Sequence, residues 1–242
     1  MRILKNIAVI KYSQRLGDVI RMLPLAKWYY NKGMIVFIDC FDQYADILET
    51  VSYCEQLPKG FKVDDPEVLL IDREIWPERY NAFRESGLKW AEFIYRPYPD
   101  IDPQNINFDL MDNFKIDDYQ LKENFCLCFG IGASQIFQWP LQYVADMAEQ
   151  WTDKYKFPVY HVVPPEYQKQ FHDRGLLTIW AKRLADLPQL IKSANQVLTI
   201  NTSASIIAGA VREKQYYHLA EPSFNYQDDH DHDLQIKIKP QI

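Results

Sequence analysis

Short apolar runs alternate with helix-patterned segments along most of the 242-residue chain, and this alternation restricts it to an α/β fold. The plainest instance is IAVIKYSQRLGDVIRMLPLAKWYY, Ile7 to Tyr30. IAVIKY has the unbroken apolar character of a strand buried on both faces. Ser13 to Gly17 make a polar connection that closes on Gly-Asp, and from Val19 onward Val19, Ile20, Leu23 and Ala26 recur at helical spacing. The expected structure is strand, tight loop, helix. In an open α/β sheet such a loop lies at the carboxyl edge of the strands, where ligands bind and helix N-termini offer free N–H groups to anions. Asp18 has two readings there, as a helix N-cap or as a functional carboxylate at the edge of the sheet.

The alternation continues through MIVFIDC, Met34 to Cys40, a helical segment from Asp42 to about Thr50, and VLLID, Val68 to Asp72. Helices are expected over Pro77–Ser86 and Leu88–Tyr95, with Gly87 as the stop between them. From Arg96 to Asp118 the chain is rich in proline and aspartate and reads as a linker. The pattern then restarts with ENFCLCFG, the loop GIGASQIFQWP and an amphipathic helix from Leu141 to Tyr155. FPVYHVV, LLTIW, QVLTI and QYYHLA are further strands, separated by helices over Pro165–Arg174, Leu184–Ala194 and Ile206–Val211. Two successive α/β series predict two Rossmann-like domains, residues 1–110 and 111–242, facing one another across a cleft.

Composition narrows the function classes less than the pattern does. A hydrophobic share of 48% and a charged share of 25% are ordinary for a globular chain. The net charge of −6 argues against broad adhesion to nucleic acid but leaves room for a local basic groove. No stretch is long and apolar enough to span a membrane, and the N-terminal run meets Lys11 too early for a secretory leader, so a cytoplasmic location is expected. Cys40, Cys54, Cys126 and Cys128 lack paired metal-ligand spacing and read as reduced core residues. His161 and His218 lie in apolar strands and read as satisfied core histidines, and DDHDHD, Asp228 to Asp233, reads as a solvated acidic loop with no metal.

Taken together, IAVIKYSQRLGDVIRMLPLAKWYY, FGIGASQIFQWPLQYVADMAEQW and ADLPQLIKSANQVLTINTSASIIAGA resemble the heptosyltransferase-like glycosyltransferases, family nine, of the GT-B fold. The resemblance covers both halves in order. It implies inverting transfer from a nucleotide-diphosphate sugar, without a metal or further cofactor. It also implies that the N-terminal domain holds a carbohydrate acceptor and the C-terminal domain the donor. Gly17-Asp18 matches the Gly-Asp after the family's first strand, which makes Asp18 the implied general base. Lys11, Ser13, Arg15, Gly17 and Arg21 flank that loop as candidates for acceptor binding.

Inverting transfer is a single in-line displacement, so one carboxylate must take the acceptor's hydroxyl proton as the oxygen reaches the anomeric carbon. The departing diphosphate needs donors in the second half. Gly130, Gly132, Ala133 and Ser134 form one small-residue loop after a strand, and Asn201, Thr202, Ser203 and Ser205 form another that opens a helix. Each loop also suits an ordinary strand-to-helix turn. Where the family carries basic residues before Trp-Pro, this chain has Phe137 and Gln138. Where the family carries Asp-Ser/Thr-Gly and then histidine, it has Asn201, Thr202, Ser203 and Ile206. Those departures imply a sugar other than heptose or a decayed donor site. Two further functions therefore stand beside carbohydrate transfer: glycosylation of a hydroxymethylated base in phage DNA, favoured by a basic rim, and non-catalytic nucleotide-sugar binding.

Overall fold

A strand that is apolar at every position must be covered on both faces, which is the environment of a parallel sheet flanked by helices. The computed structural model, which describes residues 6–12, 15–73, 77–110, 114, 116–130, 140–200, 202–219 and 235–238, contains two such sheets, and every strand pair in both is parallel. They belong to two compact units, one within Met1–Asp109 and one within Leu110–Asn225 that also takes the last strand.

The first unit runs β1 (Ile7–Lys11), α1 (Leu16–Arg21), α2 (Leu23–Tyr30), β2 (Ile35–Asp39), a 3-10 segment (Asp42–Thr50), β3 (Glu55–Gln56), β4 (Val68–Asp72), α3 (Pro77–Ser86) and α4 (Trp90–Tyr95). Its strands lie in the order β3-β2-β1-β4. Ala8, Val9 and Ile10 of β1 are fully buried, as the unbroken apolar run requires. The single helix expected after β1 is two. Pro24 has no N–H to donate, and the hydroxyl of buried Tyr95 enters the gap, donating to the Arg21 carbonyl and accepting the Leu25 N–H at 3.2 Å. A residue from α4 thus completes the bond that a continuous helix would have made between positions 21 and 25.

The second unit runs β5 (Cys126–Phe129), α5 (Leu141–Tyr155), β6 (Val159–Val162), α6 (Pro165–His172), β7 (Leu177–Ile179), a 3-10 turn (Leu184–Asp186), α7 (Leu187–Ser193), β8 (Gln196–Thr199), α8 (Ser203–Val211), β9 (Tyr216–Leu219) and β10 (Gln235–Ile238). The strand order is β10-β9-β8-β5-β6-β7. QYYHLA is therefore not the last strand, because β10 pairs with it in parallel and forms the edge. Cys126, Cys128, Leu198 and Ile200 pack with Met147, Trp151 and Phe171 in one core cluster. All four cysteines are free and buried, and burial pushes the thiols up, Cys126 to about 11 and Cys128 to about 12. The expected reduced core cysteines are present.

The segment expected to be a linker is packed over much of its length. Ile106 is buried, the Tyr53 hydroxyl donates to the Asn107 carbonyl, and the Asp109 N–H donates to the Thr50 carbonyl, all within the first unit. A 3-10 turn at Ile116–Tyr119 belongs to the second unit. Asx turns such as Gln104 N–H to Asp102 Oδ1, 2.9 Å, satisfy the backbone that the prolines leave without a ladder.

The two strand orders share one property. In the first unit the chain moves outward from β1 through β2 to β3 and then returns to place β4 on the other side of β1. In the second it moves from β5 through β6 to β7 and returns to place β8 beside β5. Each return creates a topological switch point, and in open α/β sheets ligands bind at the carboxyl ends of the two strands that flank it.

Candidate functional site

In the first unit the switch point lies between β1 and β4. Lys11 ends β1 in register with Asp39 of β2 and Asp72 of β4, so a cation stands between two carboxylates across three adjacent strands. This arrangement was not foreseen. Its signal is visible in the sequence, since IVFID and VLLID both end in Ile-Asp, but only the register brings the two aspartates to Lys11.

Asp18 is not the N-cap. Helix α1 begins at Leu16, the cap position is Arg15 in an extended conformation (φ −147°, ψ 153°), and the Arg15 carbonyl accepts the N–H groups of Asp18 and Val19, each at 3.0 Å. Gly17 and Asp18 thus belong to the first helical turn rather than to the loop, and the half-buried Asp18 carboxylate lies at the positive end of the helix. Arg15 is exposed at the carboxyl edge, where an anion can reach it. Arg21 is only 6% exposed and its carbonyl is taken by Tyr95, so this candidate sits inside the unit. Ser13 lies outside the described residues.

In the second unit the switch point lies between β5 and β8. Buried Gly130 follows β5 directly, whereas Gly132, Ala133, Ser134 and Asn201 lie outside the described residues, as do Phe137, Gln138 and the tract from Asp228 to Asp233. After β8 the chain reaches Thr202, the N-cap of α8, in an extended conformation with its hydroxyl directed at the Ile200 carbonyl at 3.5 Å. The Thr202 side chain does not cap α8. The Ser205 N–H donates to the Thr202 carbonyl at 3.0 Å, and the N–H groups of Ser203 and Ala204 open the helix at the carboxyl edge with the positive end of a nine-residue helix behind them. α8 starts three positions before the expected Ile206, because Ser203, Ala204 and Ser205 are small enough to pack as a first turn against the sheet. Ser205 is completely buried and supports that turn, while Thr202 and Ser203 are half-buried at its mouth.

Two other polar residues are structural. Arg212, 6% exposed, donates to the carbonyls of Ile191, Ala194, Asn195, Lys214 and Gln215 and so ties the end of α7 to the chain after α8. His161 on β6 is a core residue, as expected, but not a satisfied one. Among the described residues neither ring nitrogen has a hydrogen-bond partner, and burial pushes its pKa down to about 4. No group of three or more metal-ligating side chains is found among the described residues, and none of the described helices is long and apolar enough to cross a membrane.

No family model and no curated protein matches the sequence. Solved structures do match in fold. A glycosyl transferase family 9 protein from Veillonella parvula aligns over 99% of this chain and 88% of its own at 11% identity, TM-score 0.71. The E. coli heptosyltransferase WaaC with ADP aligns over 96% and 93% at 10% identity, TM-score 0.66. The iron-containing dodecameric glycosyltransferase TibC from enterotoxigenic E. coli aligns over 96% of this chain and 65% of its own at 12% identity, TM-score 0.66. The chain has the fold of family-nine glycosyltransferases.

Proposed function

We propose that the protein is an inverting glycosyltransferase that moves a sugar from a nucleoside diphosphate to a hydroxyl acceptor, with the donor held by the second unit and the acceptor by the first. One observation carries this reading above all. The first turn of α8, which the Thr202 side chain does not cap, opens at the β5/β8 switch point, where the backbone N–H groups of Ser203 and Ala204 and the hydroxyls of Thr202 and Ser203 are offered to an anion. The fold likeness to glycosyltransferases supports it, and one of the similar structures is of a heptosyltransferase with ADP. Asn201, Ser203 and Ile206, standing where the family resemblance implies aspartate, glycine and histidine, favour a sugar other than heptose.

In the reaction the Asp18 carboxylate takes the acceptor's hydroxyl proton and the oxygen attacks the anomeric carbon from the face opposite the leaving group. The bond from that carbon to the diphosphate oxygen breaks, and the electron pair leaves with the nucleoside diphosphate. Charge on the departing phosphate is met by the α8 N–H groups, with no resident cofactor assigned. Arg15 and Lys11 are assigned to an anionic group of the acceptor.

The test is turnover of nucleotide-sugar donors by Asp18→Asn and Asp72→Asn. Since Arg15 occupies the cap, Asp18→Asn removes charge without removing a cap. Turnover is expected to fall roughly 10²–10⁴-fold while nucleoside diphosphate affinity and melting temperature hold. Turnover within a few-fold of the parent would defeat the assignment of Asp18, and a collapse confined to Asp72→Asn would move the base to the end of β4.

A further inference from the structure

A diphosphate seated at the switch point leaves the nucleoside to be placed, and the sheet order says in which direction recognition can extend. On one side of β5 lie β6 and then β7. At the carboxyl end of β7 stands Trp180, which keeps 41% of its surface exposed although the residues on either side of it, Ile179 and Ala181, are buried. Pairing continues past the end of β6, since the Val163 N–H donates to the Ile179 carbonyl at 3.0 Å, which puts Val163 beside Trp180. The strands are spaced by about 4.8 Å, so Trp180 lies roughly 10 Å along the edge from the end of β5 and roughly 14 Å from the end of β8. An extended nucleoside diphosphate bridges such a separation.

The loop that follows Trp180 is anchored. The Lys182 N–H donates to the Tyr119 hydroxyl at 3.1 Å, and that hydroxyl donates to the Asp186 carboxylate. The Lys182 ammonium donates to the Asp118 carbonyl at 2.8 Å and lies 5.4 Å from the centre of the Tyr119 ring. Phe114 stacks on Tyr119, the two ring centres 5.9 Å apart. Lys182 and Arg183 are exposed immediately after the indole. The segment from Phe114 to Tyr119, more than sixty positions away in sequence, thus fixes the backbone that follows the half-exposed indole at the carboxyl end of β7.

We propose that Trp180 is the stacking platform for the base of the nucleoside diphosphate. The indole offers a flat face to a heterocycle of any sequence, and such stacking is worth a substantial part of nucleotide affinity. This assignment rests on the donor role of the second unit and adds to it the residue that separates a nucleotide from a bare diphosphate.

The experiment is calorimetric titration of the whole protein, Trp180→Ala and Trp180→Phe with ADP, with UDP and with inorganic pyrophosphate. Trp180→Ala is expected to weaken ADP and UDP roughly 5- to 100-fold and to leave pyrophosphate unchanged. Trp180→Phe, which keeps a ring, is expected to recover most of the loss. If the parent binds pyrophosphate and neither nucleotide, the donor role itself fails and the assignment falls with it. Parent-like nucleotide affinity in Trp180→Ala overturns the assignment alone. Equal weakening of nucleotide and pyrophosphate also overturns it, because that pattern belongs to a distorted edge rather than a lost stack.

Discussion

Burial decides the chemistry of single residues here more than residue type does. His161 and Asp18 are both titratable, yet one is sealed in a core and the other lies half-exposed in a first helical turn. The His161 ring has no partner for either nitrogen among the described residues, and burial holds it neutral in the folded state, so its pKa falls from 6.5 to about 4. Between those two values the unfolded chain binds the proton that the folded chain refuses. Stability contributed by the neutral ring is therefore complete above pH 6.5 and is lost as the pH falls toward 4. The loss at pH 5 is about 2 kcal/mol from this group. His161→Leu, close in volume and without a proton to gain, is expected to flatten urea-unfolding stability between pH 6.5 and 4. An unchanged pH slope in that variant would assign the dependence to other groups.

At the scale of elements, the break between α1 and α2 shows how a distant side chain can set local structure. The Tyr95 hydroxyl occupies the gap between the Arg21 carbonyl and the Leu25 N–H. Tyr95→Phe leaves both groups buried without that partner and is expected to cost about 1–3 kcal/mol in urea unfolding. A cost near zero would mean that the two backbone groups close on each other and that the hydroxyl only fills the space. The sequence displays Pro24 but not the tyrosine 71 positions later that completes its helix, which is why one helix was expected where two are found. Elements defined by their own patterning were legible, and β4, α3 and α5 have the bounds read from the chain. Elements defined by a neighbour were not. β10 is a four-residue edge strand of alternating Gln, Ile and Lys that is identified only by its pairing with β9. The candidate site divides in the same way: the strand-end loops could be read from local residues, whereas the Asp39–Lys11–Asp72 register, the exposure of Trp180 and the interior position of Arg21 depend on contacts far apart in sequence.

For the whole molecule, what matters is that each unit carries its own parallel sheet and its own switch point. Two separately built units allow two substrates to be bound by separate sets of residues, which is the division that glycosyl transfer between a nucleotide donor and an unrelated acceptor requires. Binding to a folded state stabilises the unit that binds, by RT ln(1 + [L]/Kd), or about 2.7 kcal/mol at a hundredfold excess over Kd. In the proposed assignment a nucleoside diphosphate is held by Thr202, Ser203 and Trp180, all in the second unit. At saturating ADP or UDP, slowed amide exchange is therefore expected in β5, β8 and the first turns of α8, and in the chain after β7. Exchange in β1, β2 and β4 is expected to keep its ligand-free rate until an acceptor is added. Hydrogen exchange followed by peptide mass spectrometry separates these regions. Equal protection of both units by the nucleotide alone would show that they unfold as one cooperative body, and protection confined to β1 and α1 would place the donor in the first unit and reverse the assignment of the two substrates.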